Sequence, residues 1–315
     1  MNHVNMRLLI AKIPYTQGLP QQLANFLVWN GQYGVQIFFA VSGFLITSVS
    51  LRRWQSLPCV NVRGFYLLRF ARIAPLLVLL LFVLSALHFA GLRDFVVSAR
   101  TGGLGRALLA AITFHVNVLE ARHGYLPGNW DILWSLSVEE MFYLFFPLIS
   151  RLFGRGKPLI LLLAGFVVLG PLARTFLAHG NEVWREYSYL GSMDAVALGC
   201  LTALATSQFR FSRVTLQTFF LVGSALLIFI LCFSMQTQKL GLQRSGFDMT
   251  ILAFAACMLI VAATQTNWKG TLLLRPLLQL GRLSYEIYPN FRSCANKVFG
   301  INVSTRKFPL HLCLF

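Results

Sequence analysis

The chain of 315 residues is 57% hydrophobic and 12% charged, with a mean hydropathy of +0.66. A soluble domain carries roughly 25% charged residues, so the composition excludes an ordinary water-soluble globule and makes lipid the expected solvent. The formal charge of +17 does not argue for a nucleic-acid partner, because Arg and Lys fall in short breaks between apolar runs and do not gather on one face or tail.

In chain order the apolar runs lie at approximately 35–51, 73–92, 104–119, 134–153, 158–178, 188–206, 214–235, 249–264 and 272–288. Unpaired backbone in hydrocarbon costs several kcal/mol per group, which leaves helices or closed barrels as the only spanning structures. Leu76–Phe82 is continuously apolar, without the alternation of a barrel strand. The predicted fold is therefore all-α, a polytopic transmembrane bundle of about eight or nine helical segments of roughly 20 residues each. One membrane domain covers 1–288, with an atypical tail at 289–315. No fixed-period repeat or low-complexity linker is present, and MNHVNMRLL lacks the charged n-region and apolar core of a signal peptide.

The breaks set the expected topology. The stretch 52–72 holds Arg52, Arg53, Arg63, Arg69 and Arg72 with no acidic residue, and further basic breaks occur at Arg151/Arg155/Lys157, Arg210/Arg213 and Lys269/Arg275. The positive-inside rule places such breaks on the cytoplasmic side. All four share one side, with Glu182 and Glu186 opposite, only if 104–119 does not cross. That run is short and carries Arg106, His115 and Asn117, so a re-entrant or partly buried segment is predicted. Of the cysteines, Cys200, Cys232 and Cys257 sit inside apolar runs, while Cys59, Cys294 and Cys313 lie outside them. No CxxC pair occurs, so neither a disulfide framework nor a zinc site is expected.

Polar groups at membrane depth are expensive and mark candidate sites. In Trp130–Tyr143 (WDILWSLSVEEMFY) two adjacent carboxyls, Glu139 and Glu140, begin an aromatic helix. They either complement the helix dipole near water, or one of them faces the interior as a proton-handling or hydrogen-bonding group. Adjacent helical residues point about 100° apart, so a single site is not expected to use both. Ser42-Gly43 inside GVQIFFAVSGFLIT reads first as a notch for close helix packing; a catalytic serine is the alternative, without a nucleophile-elbow context. Arg69 and Arg72 in RGFYLLRFARIAP share a helix face at the membrane edge. They anchor topology or grip a phosphate-bearing donor, since guanidinium matches phosphate bidentately.

Taken in this order, the three stretches, with YLGSMDAVALGCLTA at 189–203 and LGRLSYEIY at 280–288, resemble the acyltransferase 3 family of bacterial membrane O-acyltransferases. WSLSVEE together with RFAR is the specific pair. The resemblance implies acyl transfer, commonly acetyl from acetyl-CoA, to a hydroxyl of a cell-surface carbohydrate such as lipopolysaccharide or another polysaccharide. The acyl-CoA is a donor substrate and no bound cofactor or metal is implied; the setting is the bacterial inner membrane.

In the family a histidine ends the first span as the catalytic group, and His3 matches it; imidazole, with pKa near 6.5, suits removal of a hydroxyl proton. Arg69 and Arg72 match a donor-side Arg-x-x-Arg, and Glu139 matches the motif glutamate. Asp194, Ser42 and Trp134 match positions that are acceptor-facing or structural. Two departures stand out. The family's first span and its arginine are missing ahead of His3, and the apolar pattern stops after Tyr288. A late start assignment and a terminal frameshift, or a truncated gene, are the expectation, with loss of activity a consequence. A non-enzymatic transporter or channel is the alternative reading.

Overall fold

Seven helices long and apolar enough to cross a bilayer occur among the residues that the computed structural model describes, 20–26, 30–178 and 180–266. The first is α1 (Gly31–Trp54), followed after a 3-10 turn at Leu57–Cys59 by α2 (Val62–Phe89). Two short helices, α3 (Gly103–Ile112) and α4 (Val116–His123), precede a turn at Gly128–Asp131 that leads into α5 (Leu133–Phe153). Then come α6 (Lys157–Leu172), extended by a π-helical turn at Ala173–Leu177, and α7 (Glu182–Tyr187). The described chain ends with α8 (Tyr189–Gln208), α9 (Arg213–Cys232) and α10 (Phe247–Gln265).

Two differences from the sequence reading have physical causes. The helix expected from residue 73 begins at Val62, so it takes in Arg63 as well as Arg69 and Arg72, whose shared helix face the spacing predicts. Arg and Leu are good helix formers, and nothing between Val62 and Pro75 interrupts them; α2 continues past Pro75. The stretch Val62–Phe82 belongs to a second compact unit.

The run 104–119 breaks in two. Phe114 takes a left-handed backbone, φ +58°, between α3 and α4. A ten-residue helix rises about 15 Å, half of a roughly 30 Å hydrocarbon core, so neither piece crosses. The expected run 272–288 and the break at Lys269/Arg275 lie outside the described residues.

With 103–123 not crossing, chain parity puts the connections at 52–62, 151–157 and 208–213 on one side, and these carry Arg and Lys but no Asp or Glu. The rule of positive charge assigns that side to the cytoplasm. Glu182 and Glu186 fall on the other side, as the sequence predicts.

Small residues decide which helices touch. A Cβ on Gly43 of α1 would collide with the Val196 carbonyl oxygen of α8, and one on Gly199 of α8 would collide with that of Ala40. Backbone therefore meets backbone, the close approach that drives helix association in lipid, where no hydrophobic force separates helix from tail. Larger side chains fill in around this seam: Phe44, Ala203 and Ile260 cluster from α1, α8 and α10. Tyr33, Ile230, Leu231, Met249 and Leu252 join α1, α9 and α10. Leu161 and Val168 of α6 and Leu221 of α9 are exposed, giving these helices apolar outer faces for a bilayer.

Candidate functional site

The start of α5 is built into the protein on the side opposite the basic connections. Trp130, fully buried, donates through Nε1 to the Phe95 carbonyl at 3.1 Å. Ser137 bonds back to Leu133 at 3.0 Å and accepts the Val116 amide at 3.2 Å, tying α5 to the beginning of α4. Trp134 is buried, stacked on Tyr187 with ring centroids 3.9 Å apart and edge-on to Phe39 at 6.1 Å. These contacts fix the rotation of α5 about its axis, and hence the direction in which its later side chains point.

One and a half turns on, Glu139 and Tyr143 occupy i and i+4 positions on the face that meets α1. The Ser42 hydroxyl donates to Glu139 Oε1, the Tyr143 hydroxyl donates to the same oxygen, and the two hydroxyls touch each other. Ser42 and Tyr143 are buried and Glu139 is half-buried. Of the Ser42-Gly43 pair, the glycine provides the packing notch against α8, while the serine, about 100° around the helix, turns to the carboxyl on α5. Beyond the cluster, toward the basic connections, an apolar crevice is lined by Phe142, Phe146, Thr47, Leu163 and Cys200.

Asp194 lies elsewhere, in a site of different character. It is fully buried and paired with Arg174, Nη2 to Oδ2 at 2.6 Å and Nη1 to Oδ1 at 3.2 Å. The guanidinium also donates to Thr250 Oγ1 at 2.6 Å, to the Gly246 carbonyl at 3.0 Å and to the Gly191 carbonyl. Arg174 reaches inward from the π-helical turn after α6, a local widening often found where a side chain must be re-aimed. Gly170 makes room, since a Cβ there would lie 2.5 Å from Asp194 Cβ. The network joins α6, α8 and α10, and Tyr33 of α1 donates to neighbouring Asp248 at 2.6 Å.

A third group sits on the side opposite the basic connections. Glu120 of α4 is fully buried, its Oε1 accepting the Leu126 amide at 3.1 Å, and Tyr187 donates to Asp131 at 3.2 Å. Burial chiefly, and then the charge of Asp131, raises the Glu120 carboxyl above the ordinary carboxylate range.

The structure thus brings Ser42 to Glu139 and leaves Asp194 and Trp134 in separate surroundings. Arg69, half-buried, and Arg72, exposed, lie one turn apart on α2 within the second unit. His3 lies outside the described residues. Tyr143 and Arg174 escaped the sequence reading. Tyr143 had a signal, a hydroxyl one helical turn after Glu139, and Arg174 had one too, a lone cation inside the run 158–178. Among the described residues no group of three or more His, Cys, Asp and Glu is placed to hold a metal.

Chemically the two carboxyl sites differ. The charge of Asp194 is matched by a guanidinium with nearly every lone pair used, the arrangement of a structural cross-link. Glu139 meets hydroxyl groups, which orient a carboxyl without neutralising it, and it keeps partial access.

Comparison with known proteins bears out the family that the sequence resembles. The acyltransferase 3 model, described as an acyltransferase domain, matches residues 3–288. An O-acetyltransferase OatA of Staphylococcus aureus (strain NCTC 8325 / PS 47) is 27% identical over 284 residues, covering 82% of this chain and 45% of the relative. The peptidoglycan O-acetyltransferase OatA of Listeria monocytogenes is 26% identical over 275 residues, covering 82% and 44%. The chain therefore spans less than half the length of these relatives. No solved structure matches it.

Proposed function

The chain belongs to the acyltransferase 3 family, and from that premise we propose that it transfers an acyl group, acetyl in the first instance, from acyl-CoA to a hydroxyl of a cell-envelope carbohydrate. The observation that carries the proposal is the placement of Glu139. It is the glutamate of WSLSVEE, at a depth where polar groups are costly, held by Ser42 and Tyr143 and, among the described residues, not consumed in an ion pair of the Asp194 kind.

In this reading the acceptor oxygen attacks the thioester carbonyl as its proton passes to the imidazole of His3. The carbon–sulfur bond breaks, and the departing thiolate takes up a proton to leave as free thiol. Glu139 is assigned the hydrogen-bond acceptor that orients the reacting groups, a type of contribution worth about 10²–10⁴ in rate. Arg69 and Arg72, on the basic side of the chain, are assigned the donor phosphates. The apolar crevice beyond Glu139 suits a short alkyl group. The Listeria relative is named for peptidoglycan, which makes a cell-wall glycan, in place of lipopolysaccharide, the acceptor we assign. A bacterial inner membrane is the setting in which cytoplasmic donor and external acceptor meet.

The test uses the chain in proteoliposomes with radiolabelled acetyl-CoA and solubilised cell-wall glycan. Acyl-dependent release of thiol and alkali-labile label on the glycan are expected, both reduced by 10²-fold or more in Glu139→Gln. Absence of thiol release in the unaltered protein, or full activity in Glu139→Gln, would sink the assignment.

A further inference from the structure

The arginines on the side opposite the basic connections have no topogenic use. Within 89–112, Arg93, Arg100 and Arg106 stand on a side where the positive-inside rule asks for none, and all three are exposed, against one exposed carboxyl, Asp94. Large apolar side chains point out beside them. Phe89 is 79% exposed and Leu92 47%, and on α3 Leu109 is 63% and Ile112 60% exposed.

The inner face of α3 is made of Ala107, Ala110 and Ala111, all buried, so the helix is amphipathic in an unusual sense. Its small residues face protein, and its large apolar residues face out with a cation. Arg106 lies with its stem folded back on Gly102, where a Cβ would come within 2.6 Å of Arg106 Cδ.

The depth of this segment is set by its tethers. The Val97 amide donates to His88 Nδ1 at the end of α2 at 3.0 Å. Asn129 donates to the Asp94 carbonyl and Trp130 to the Phe95 carbonyl, each at 3.1 Å, from the turn that opens α5. Residues 94–97 are thereby pinned to the ends of two membrane-crossing helices, at the level where hydrocarbon gives way to headgroups. An apolar surface studded with arginine at that level matches an interfacial helix, whose apolar side chains enter the acyl region while cations stay at the phosphates.

We infer that residues 89–112 form a lipid-binding surface in the outer leaflet, with Leu109 and Ile112 among acyl chains and Arg93, Arg100 and Arg106 on the phosphates of anionic phospholipid. The surface is independent of the acyl-transfer reading, since none of these residues has a part in it.

The experiment places a photocrosslinker, Leu109→p-benzoylphenylalanine, in the full chain reconstituted in equimolar phosphatidylcholine and phosphatidylglycerol. Adducts are identified by mass. Lipid adducts are expected, with phosphatidylglycerol favoured by at least about fivefold, the weight of one arginine near an anionic surface. The preference should fall to near unity in Arg93→Gln/Arg100→Gln/Arg106→Gln, and should weaken in high salt. Crosslinks to protein alone, lipid adducts without headgroup preference, or a preference that survives the triple substitution would each overturn the inference.

Discussion

Replacing Asp194 by Asn keeps the shape of the side chain and removes its charge, leaving Arg174 buried among dipoles. Both side chains are at most 1% exposed, with nitrogen and oxygen 2.6 Å apart, so neither water nor salt can take over. At an effective dielectric of about 20, two unit charges roughly 3 Å apart attract by about 5 kcal/mol. Desolvation of both ions offsets much of that in the intact pair, yet it is not recovered when only one partner is lost. Breaking such a pair typically costs about 3–5 kcal/mol. Asn still offers one acceptor, and the carbonyls of Gly191 and Gly246 remain, which puts the expected cost near the lower end, about 3 kcal/mol, or roughly a hundredfold in the unfolding equilibrium. Reversible unfolding in mixed micelles, followed by helicity, reads this directly. The doubly apolar Arg174→Met/Asp194→Leu should recover most of the loss, because no ion is then left stranded. A loss below about 1 kcal/mol for Asp194→Asn, or a double variant worse than the single, would refute the view of this pair as a buried cross-link.

The glycine seam makes a paired prediction: Gly43→Ala should destabilise by about 1–3 kcal/mol through overpacking against Val196, whereas Gly34→Ala, with nothing within 4 Å, should stabilise by about 0.5–1 kcal/mol through helix propensity. Thermal unfolding of the two variants beside the parent checks both signs. Glu120 gives a pH dependence. Its folded carboxyl holds a proton more tightly than the unfolded one, so its contribution is fully favourable below the reference value of 4.5 and is lost as pH rises toward the raised folded value. Its slope is at most about 1.4 kcal/mol per pH unit; melting between pH 5 and 8 should show it, and Glu120→Gln should reduce the slope there by up to that amount. Finally, Tyr143→Phe removes one of the two hydroxyls on Glu139 and its contact with Ser42 and should lower turnover by about tenfold, while the unfolding free energy falls by no more than about 1–3 kcal/mol, the range for two hydrogen bonds. Equal loss in Tyr143→Phe and Glu139→Gln would show that the hydroxyl does more than hold the carboxyl.

Much of the architecture was legible from residues alone because hydrocarbon leaves a chain so few options. Once composition named lipid as the solvent, helices followed, and the basic breaks at Arg52/Arg53, Arg151/Arg155/Lys157 and Arg210/Arg213 ordered their directions. The failure of 104–119 to cross was visible as a parity argument in charge, and its break at Phe114 supplied the conformational cause. Motif residues such as Glu139 were visible too, as costly groups in an apolar setting.

What tertiary structure alone decided is which of those groups meet. Ser42 and Glu139 are 97 positions apart and Arg174 and Thr250 are 76 apart, and pairing at such distances depends on which helices are neighbours. Neighbours are chosen in lipid by backbone-close contacts such as Gly43 on Val196 and Gly199 on Ala40, a property of two surfaces at once that no single stretch of sequence contains. The same rotation that seats Gly43 against α8 carries Ser42 round to α5, so one helix both packs the bundle and presents a hydroxyl to the candidate site.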